Sequence, residues 1–167
     1  MQTRIRSLAL AALATALVAA PALAGPPWIS IELPADPYDA ATRGAFLVVR
    51  AFHCATPARE RMTGTAEGIV NGERQTIQLE FSETGREGVY ALKRTWPERG
   101  TWTLVLQAHQ GPTRSATAVL ELGPDGAVTS IRVPTMEQGG WTIPAPVAMS
   151  EIEAGLRLRA AALVRRS

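Results

Sequence analysis

Residues 101–122 read TWTLVLQAHQGPTRSATAVLEL, and this stretch decides the fold. Apolar side chains recur at every second position over residues 102–108 and again over residues 116–122. A repeat of two residues places alternate side chains on the same face of a β-strand. Gly111 and Pro112 separate the two runs and are typical turn residues. The stretch therefore predicts a β-hairpin with one face in a hydrophobic core.

The same alternation extends along the chain in both directions, and turn residues stand between the segments. Together they predict about eight strands, at residues 28–33, 45–53, 63–70, 74–81, 88–95, 102–109, 115–122 and 128–133. Between the third and fourth of these strands lies Asn71-Gly72. This dipeptide predicts a type I′ turn, because both central residues of such a turn have positive φ.

No helical pattern interrupts this series of short strands. A parallel sheet would need crossover helices between its strands, and the short connections leave no room for them. Residues 25–134 are therefore predicted to form one all-β domain, an immunoglobulin-like antiparallel β-sandwich. Such a domain is long enough to bury a hydrophobic core of its own.

The C-terminal part of the chain has a different character. Residues 135–150 are rich in Gly and Pro and are predicted to be a linker. Residues 151–167 are predicted to form a short, amphipathic, basic helix, with Ser150 and Glu153 as a capping box. Such a helix can dock on the sandwich, contact a membrane surface or bind a partner. Arg159 near the middle of its apolar face argues against all three, which leaves a frayed terminal helix as the alternative.

The first 24 residues have the layout of a secretory signal peptide. Arg4 and Arg6 precede an apolar run, residues 8–20, and small residues follow before Gly25. We expect this segment to form the signal helix and to be cleaved before Gly25. No second apolar run of about twenty residues follows, so no transmembrane segment is expected after cleavage. The predicted location is the periplasm or the extracellular space.

Charge and cysteine content argue against two properties, nucleic-acid binding and an intrachain disulfide. The chain has 17 basic and 15 acidic residues, and subtracting the two leader arginines leaves 15 basic against 15 acidic. A neutral mature protein argues against nucleic-acid binding, which needs a basic face for phosphate. Cys54 is the only cysteine, so an intrachain disulfide cannot form.

Two neighbouring motifs resemble those of a known group of proteins. Gly88-Val89-Tyr90-Ala91-Leu92 is followed by Trp96-Pro97-Glu98-Arg99-Gly100-Thr101-Trp102-Thr103-Leu104. This pattern resembles the YtkA-like and FixH-like group of exported bacterial immunoglobulin-like domains, over about residues 45–122. The resemblance implies a small exported binding or accessory domain, in some cases near metal or respiratory assembly systems. It implies no catalytic residues.

One set of side chains suggests a metal site. His53 and Cys54 end the second predicted strand, Met62 precedes the third, and His109 ends the strand that begins at Trp102. If these strands are B, C and F of an immunoglobulin-like sandwich, the B–C and F–G loops lie at the same pole, where all four side chains can gather. Imidazole, thiolate and thioether together favour copper. The alternative is that these residues are structural, with Cys54 packed as a small apolar side chain.

Catalytic patterns are absent from the sequence. Neither histidine lies in a nucleophile motif, and Glu80, Glu83 and Glu87 are interpreted as solvated surface carboxylates. Trp141, in the Gly-rich segment, is predicted to be the most exposed tryptophan, in contact with a partner or a sugar, or packed back on the sandwich.

We therefore expect an exported, non-enzymatic binding or accessory domain without a cofactor. It would act through contacts with an unidentified protein or small ligand of the cell envelope. The alternative is a periplasmic copper-binding accessory protein that uses His53, Cys54, Met62 and His109.

Overall fold

The computed structural model describes residues 25–165, which form twelve β-strands and one α-helix. The predicted leader, residues 1–24, lies outside the described residues. The strands are β1 (Pro27–Glu32), β2 (Leu47–His53), β3 (Thr56–Pro57), β4 (Arg61–Val70), β5 (Glu73–Gln78), β6 (Phe81–Glu83), β7 (Val89–Leu92), β8 (Thr101–Gln110), β9 (Arg114–Leu122), β10 (Val128–Arg132), β11 (Thr135–Gln138) and β12 (Trp141–Pro144). The helix is α1 (Met149–Val164).

Ten of these strands form two antiparallel sheets that enclose the core. Sheet 1 has the order β1-β2-β7-β6, with β3 paired to the end of β2. Sheet 2 has the order β10-β9-β8-β4-β5. Leu47 and Val49 of sheet 1 share one buried apolar cluster with Leu104 and Leu106 of sheet 2. The prediction of an all-β antiparallel sandwich is confirmed.

The predicted strand at residues 74–81 is two strands in different sheets. The chain leaves sheet 2 after Gln78 and enters sheet 1 at Phe81. At this crossing the side chain of Leu79 is buried, and its backbone N–H donates to the carbonyl of Gly64 at 2.9 Å. Alternation of apolar residues continues through the crossing, because each half of the segment still faces the same core.

Trp102 of the central strand β8 requires a glycine on the neighbouring strand β4. Its side chain is buried, and its indole N–H donates to the carbonyl of Arg99 at 3.0 Å. The residue directly opposite on β4 is Gly68. A Cβ atom at Gly68 would lie 2.3 Å from the Trp102 ring, so only glycine leaves room for the indole here.

An arginine beside two aromatic rings holds the connection from β7 to β8 in place. The rings of Phe46 and Trp96 meet edge to face, with their centroids 5.1 Å apart. The Arg94 guanidinium lies 5.0 Å from the Phe46 centroid and 5.5 Å from the Trp96 centroid. It also donates to the carbonyl of Gly126 at 2.7 Å. The crossover is thereby tied to the turn between β9 and β10.

The segment predicted as a linker contains regular structure. Residues 135–144 form the β11–β12 hairpin, and Gly139 and Gly140 in its turn both have positive φ. Glycine adopts this conformation without steric cost, so two successive glycines permit a tight turn. Trp141, beside this turn, is 75% exposed, as predicted.

The C-terminal helix is confirmed, although it begins earlier than predicted. Ala148 is its N-cap, and no side chain caps the first turn. The capping box expected from Ser150 and Glu153 is wrong, because Ser150 already lies inside the helix. Residues 166–167, the end of the predicted helix, lie outside the described residues.

The helix α1 docks on the outer face of sheet 2. Ile152 and Leu156 are buried against Val105 and Val119, which lie on the opposite side of the sheet from the main core. Of the three roles considered for the helix, docking on the sandwich is the one that these contacts support. It gives the molecule a third layer over sheet 2.

Arg159, which argued against docking, contributes to it. Its guanidinium donates to the carbonyls of Trp102 at 3.0 Å and Leu122 at 3.3 Å, and to the hydroxyl of Thr103. Burial lowers the pKa of Arg159 from its usual value, and the carboxylate of Glu121, 3.8 Å away, opposes this shift. A cation on an apolar helix face is thus accommodated by backbone oxygens at the strand ends.

Two glycine substitutions should change stability in opposite directions. Gly68→Ala should lower the free energy of unfolding by about 1–3 kcal/mol, because the new methyl group overlaps the Trp102 ring. Gly155→Ala should raise it by about 1 kcal/mol, because helical glycine is unfavourable and the nearest atom to the new methyl is 3.8 Å away. Urea unfolding of both variants measures the effect. Equal destabilisation by the two substitutions would contradict this packing.

Loss of Arg159 should release α1 from sheet 2. Arg159→Ala removes three hydrogen bonds and should cost about 1–3 kcal/mol, with faster amide hydrogen exchange along α1. Arg157→Ala is the matched control, because Arg157 is exposed and its ion pair, at 3.4 Å, is with Glu153 of its own helix. If amide hydrogen exchange along α1 is equally fast in both variants, Arg159 does not anchor the helix.

Candidate functional site

The four predicted metal ligands lie near one end of the sandwich. His53 ends β2, and its Nε2 lies in contact with Oε1 of Glu60, although the geometry is not that of a hydrogen bond. Glu60 directly precedes β4, in which Arg61 pairs with His109 of β8. The ends of β2 and β8 and the start of β4 are therefore neighbours, as the metal hypothesis requires.

Strand alternation separates the side chains of these residues. Met62 pairs with Ala108 and packs against the main core. His109 follows Ala108, so it faces the outer side of sheet 2. There its Nε2 is hydrogen-bonded to Oγ1 of Thr63 at 2.7 Å. His109 and Met62 thus lie on opposite faces of the same sheet.

The metal hypothesis therefore lacks a converged ligand set. His53 contacts Glu60, His109 is bonded to Thr63, and Cys54 is exposed. Across residues 25–165, no group of three or more histidine, cysteine or acidic side chains is arranged to hold a metal ion. Copper binding by His53, Cys54, Met62 and His109 stays a prediction.

A buried tyrosine holds the segment around Glu60 in place. The hydroxyl of Tyr90 accepts from the backbone N–H of Glu60 at 2.8 Å and donates to its carbonyl at 2.7 Å. Burial raises the pKa of Tyr90, so the hydroxyl remains protonated at neutral pH. The side chain of Glu60 is only 7% exposed, with the His53 ring beside it. These contacts fix the end of β2 against the segment before β4.

A depression lies on the outer face of sheet 1, next to this end of β2. In β2 the core-facing residues alternate with Arg50 and Phe52, which face outward. Arg50 pairs with Val89 of β7, and Phe52 pairs with Pro57 of β3. Directly opposite residues in adjacent strands share a face, so these four side chains lie together.

We call this feature the outer depression. Its volume is about 300 Å³, at the lower end of the range for small-molecule sites. Its lining is mostly apolar and consists of Arg50, Ala51, Phe52, Ala55, Pro57, Glu87, Gly88 and Val89. The charged groups in this lining are Arg50 and Glu87.

The turn beside the outer depression has a strained backbone. Cys54 and Ala55 connect β2 to β3, and their φ angles are 45° and 67°. Positive φ is unfavourable for residues with a Cβ atom, at a cost of about 1–2 kcal/mol each. Neither residue is glycine, although glycine would relieve the strain. Backbone strain of this kind is concentrated at functional sites.

No pattern in the sequence predicts the outer depression. The pairing of β3 and β7 with the same side of β2 has no signature in the sequence, and Glu87 was therefore expected to be a solvated surface carboxylate. The pair of positive φ angles at Cys54 and Ala55 also has no signature, since neither residue is a typical turn former.

Comparisons with protein-family models, with curated proteins and with solved structures found no match to this chain. In the part of the chain that the structure describes, no helix is both long and apolar enough to cross a membrane.

The charge of His109 should respond to Arg61. Burial, and secondly the Arg61 guanidinium, hold the pKa of His109 below its ordinary value of 6.5. Arg61→Gln should raise this pKa, without restoring 6.5, because burial is the larger cause. Titration of the ring protons by NMR measures it. Arg59→Gln is the control, since Arg59 is exposed and contacts Glu83 at 4.0 Å.

This lowered pKa also gives His109 a defined effect on stability. Below about pH 6.5 the unfolded chain binds a proton at His109 more readily than the folded protein does. The contribution of neutral His109 to the free energy of unfolding is therefore fully present above pH 6.5 and is lost as the pH falls. An unchanged His109 pKa in Arg61→Gln would contradict this account.

Proposed function

We propose that the protein is an exported, non-enzymatic binding or accessory domain whose ligand site is the outer depression. The observation that carries this proposal is the mostly apolar lining of the depression on an outer sheet face. Phe52 and Pro57 form its walls, and the strained Cys54–Ala55 turn lies at its edge. An apolar concavity with few charged groups is the usual form of a small-molecule site.

We further propose that the sandwich is of the immunoglobulin-like type. The order β1-β2-β7-β6 of sheet 1 corresponds to strands A, B, E and D of that type. The order β9-β8-β4-β5 in sheet 2 corresponds to G, F, C and C′, and β10 is an addition next to G. This agreement in strand order supports the assignment, and so does the resemblance over residues 45–122 to YtkA-like and FixH-like domains.

Export is the third part of the proposal. The pattern of residues 1–24, two arginines followed by an apolar run and small residues, supports a cleaved leader and a location in the periplasm or outside the cell. A partner or ligand would then be a component of the cell envelope or its surroundings.

A small apolar probe should bind at the outer depression. We expect titration with benzyl alcohol, followed by NMR, to shift the amides of Phe52, Ala55, Gly88 and Val89. Phe52→Ala removes one wall and should weaken binding roughly three- to tenfold, from the lost apolar contact. Ile131→Ala is the control, because Ile131 is exposed on β10 of the other sheet. Shifts scattered over the surface, or equal binding by the two variants, would refute the proposed site.

A further inference from the structure

The two charged groups that line the outer depression, Arg50 and Glu87, differ in whether they have an ion-pair partner. Three arginines on or next to the strands of sheet 1, Arg50, Arg59 and Arg86, each have a carboxylate partner. Arg50 donates to Oε2 of Glu32 through Nε at 2.9 Å and through Nη2 at 2.5 Å. Arg86 is paired with Asp39, and Arg59 lies 4.0 Å from Glu83.

Glu87 is not the partner of any of these three arginines. It lines the outer depression, is exposed, and makes no ion pair with the residues that the structure describes, 25–165. The one cation of the lining, Arg50, is already neutralised by Glu32. The depression therefore combines an apolar floor with a single uncompensated negative charge.

We propose that the outer depression selects a small organic ammonium ion, with the apolar body of the ligand against Phe52, Pro57 and Val89 and its cation beside Glu87. This inference rests on the proposed function, since it names the ligand class of the same site. A neutral ligand would gain no attraction from Glu87, and a carboxylate ligand would be repelled by it.

The size of the site favours a free small molecule over a segment of a protein. A volume of about 300 Å³ holds one ring or a short alkyl chain. The lining comes from one turn and the adjoining parts of three strands, β2, β3 and β7, and the loop before β7. We therefore commit to a free amine as the occupant, and a lysine side chain of a partner protein is an outcome that the test separates.

The test compares three probes of one shape and different charge: benzylamine, benzyl alcohol and benzoate. The protein is expressed from the full chain and titrated at neutral pH and low salt, with the amides of Gly88 and Val89 as reporters. Benzylamine should bind roughly two- to fivefold more tightly than benzyl alcohol, as expected for a partly exposed ion pair, and benzoate more weakly than either. Added salt should reduce the preference.

Substitutions at two glutamates then locate the preference. Glu87→Gln should remove the difference in affinity between benzylamine and benzyl alcohol. Glu80→Gln is the matched control, because Glu80 is exposed and does not line the depression. It should keep the full preference for benzylamine.

Each other outcome has a distinct meaning. Equal affinity for benzylamine and benzyl alcohol, or a preference that survives Glu87→Gln, overturns the ammonium inference while the binding function stands. Failure of all three probes to bind overturns the proposed function and the inference together. Tighter binding of an acetylated lysine methylamide than of benzylamine overturns the commitment to a free amine.

Discussion

The pairing of β2 with strands on both of its sides is the constraint on which the candidate site depends. β1 pairs with one side of β2, while β7 and β3 share the other side in succession. Leu47, Val49 and Ala51 are buried in the core, so the register of β2 cannot slip by one residue without exposing them. The same register turns Arg50 and Phe52 outward. The core therefore dictates which side chains are available for binding.

Polar contacts hold the end of β2. The Tyr90 hydroxyl bridges the backbone N–H and carbonyl of Glu60, and the Glu60 carboxylate contacts His53. Buried backbone groups that lose such partners cost about 1–3 kcal/mol each. This anchoring explains how the strained turn at Cys54 and Ala55 persists beside it. The backbone at the edge of the outer depression is thus held by contacts within the fold.

The outer face of sheet 2, unlike the depression on sheet 1, is covered by a helix. The helix α1 covers it, with Ile152 and Leu156 against the sheet and Arg159 bonded to strand-end oxygens. Periodicity predicted both the helix and its apolar face. It also counted Arg159 as evidence against docking. A sequence pattern does not show the carbonyl oxygens of the strands to which the guanidinium donates. The docked helix leaves the outer face of sheet 1, with its depression, as the concave apolar surface that our proposal concerns.

The sequence by itself determined the secondary structure type, most of the strand positions and the inward faces of β8 and β9, because alternation at a period of two reflects burial directly. It also predicted the Asn71-Gly72 turn, where both residues have positive φ. Only the tertiary structure decided the sheet change after Gln78, the separation of His109 from Met62, and the meeting of Glu87 with Phe52 and Pro57. These depend on which strands become neighbours. The neighbours of each strand depend on how the two whole sheets pack, and local sequence patterns do not predict them.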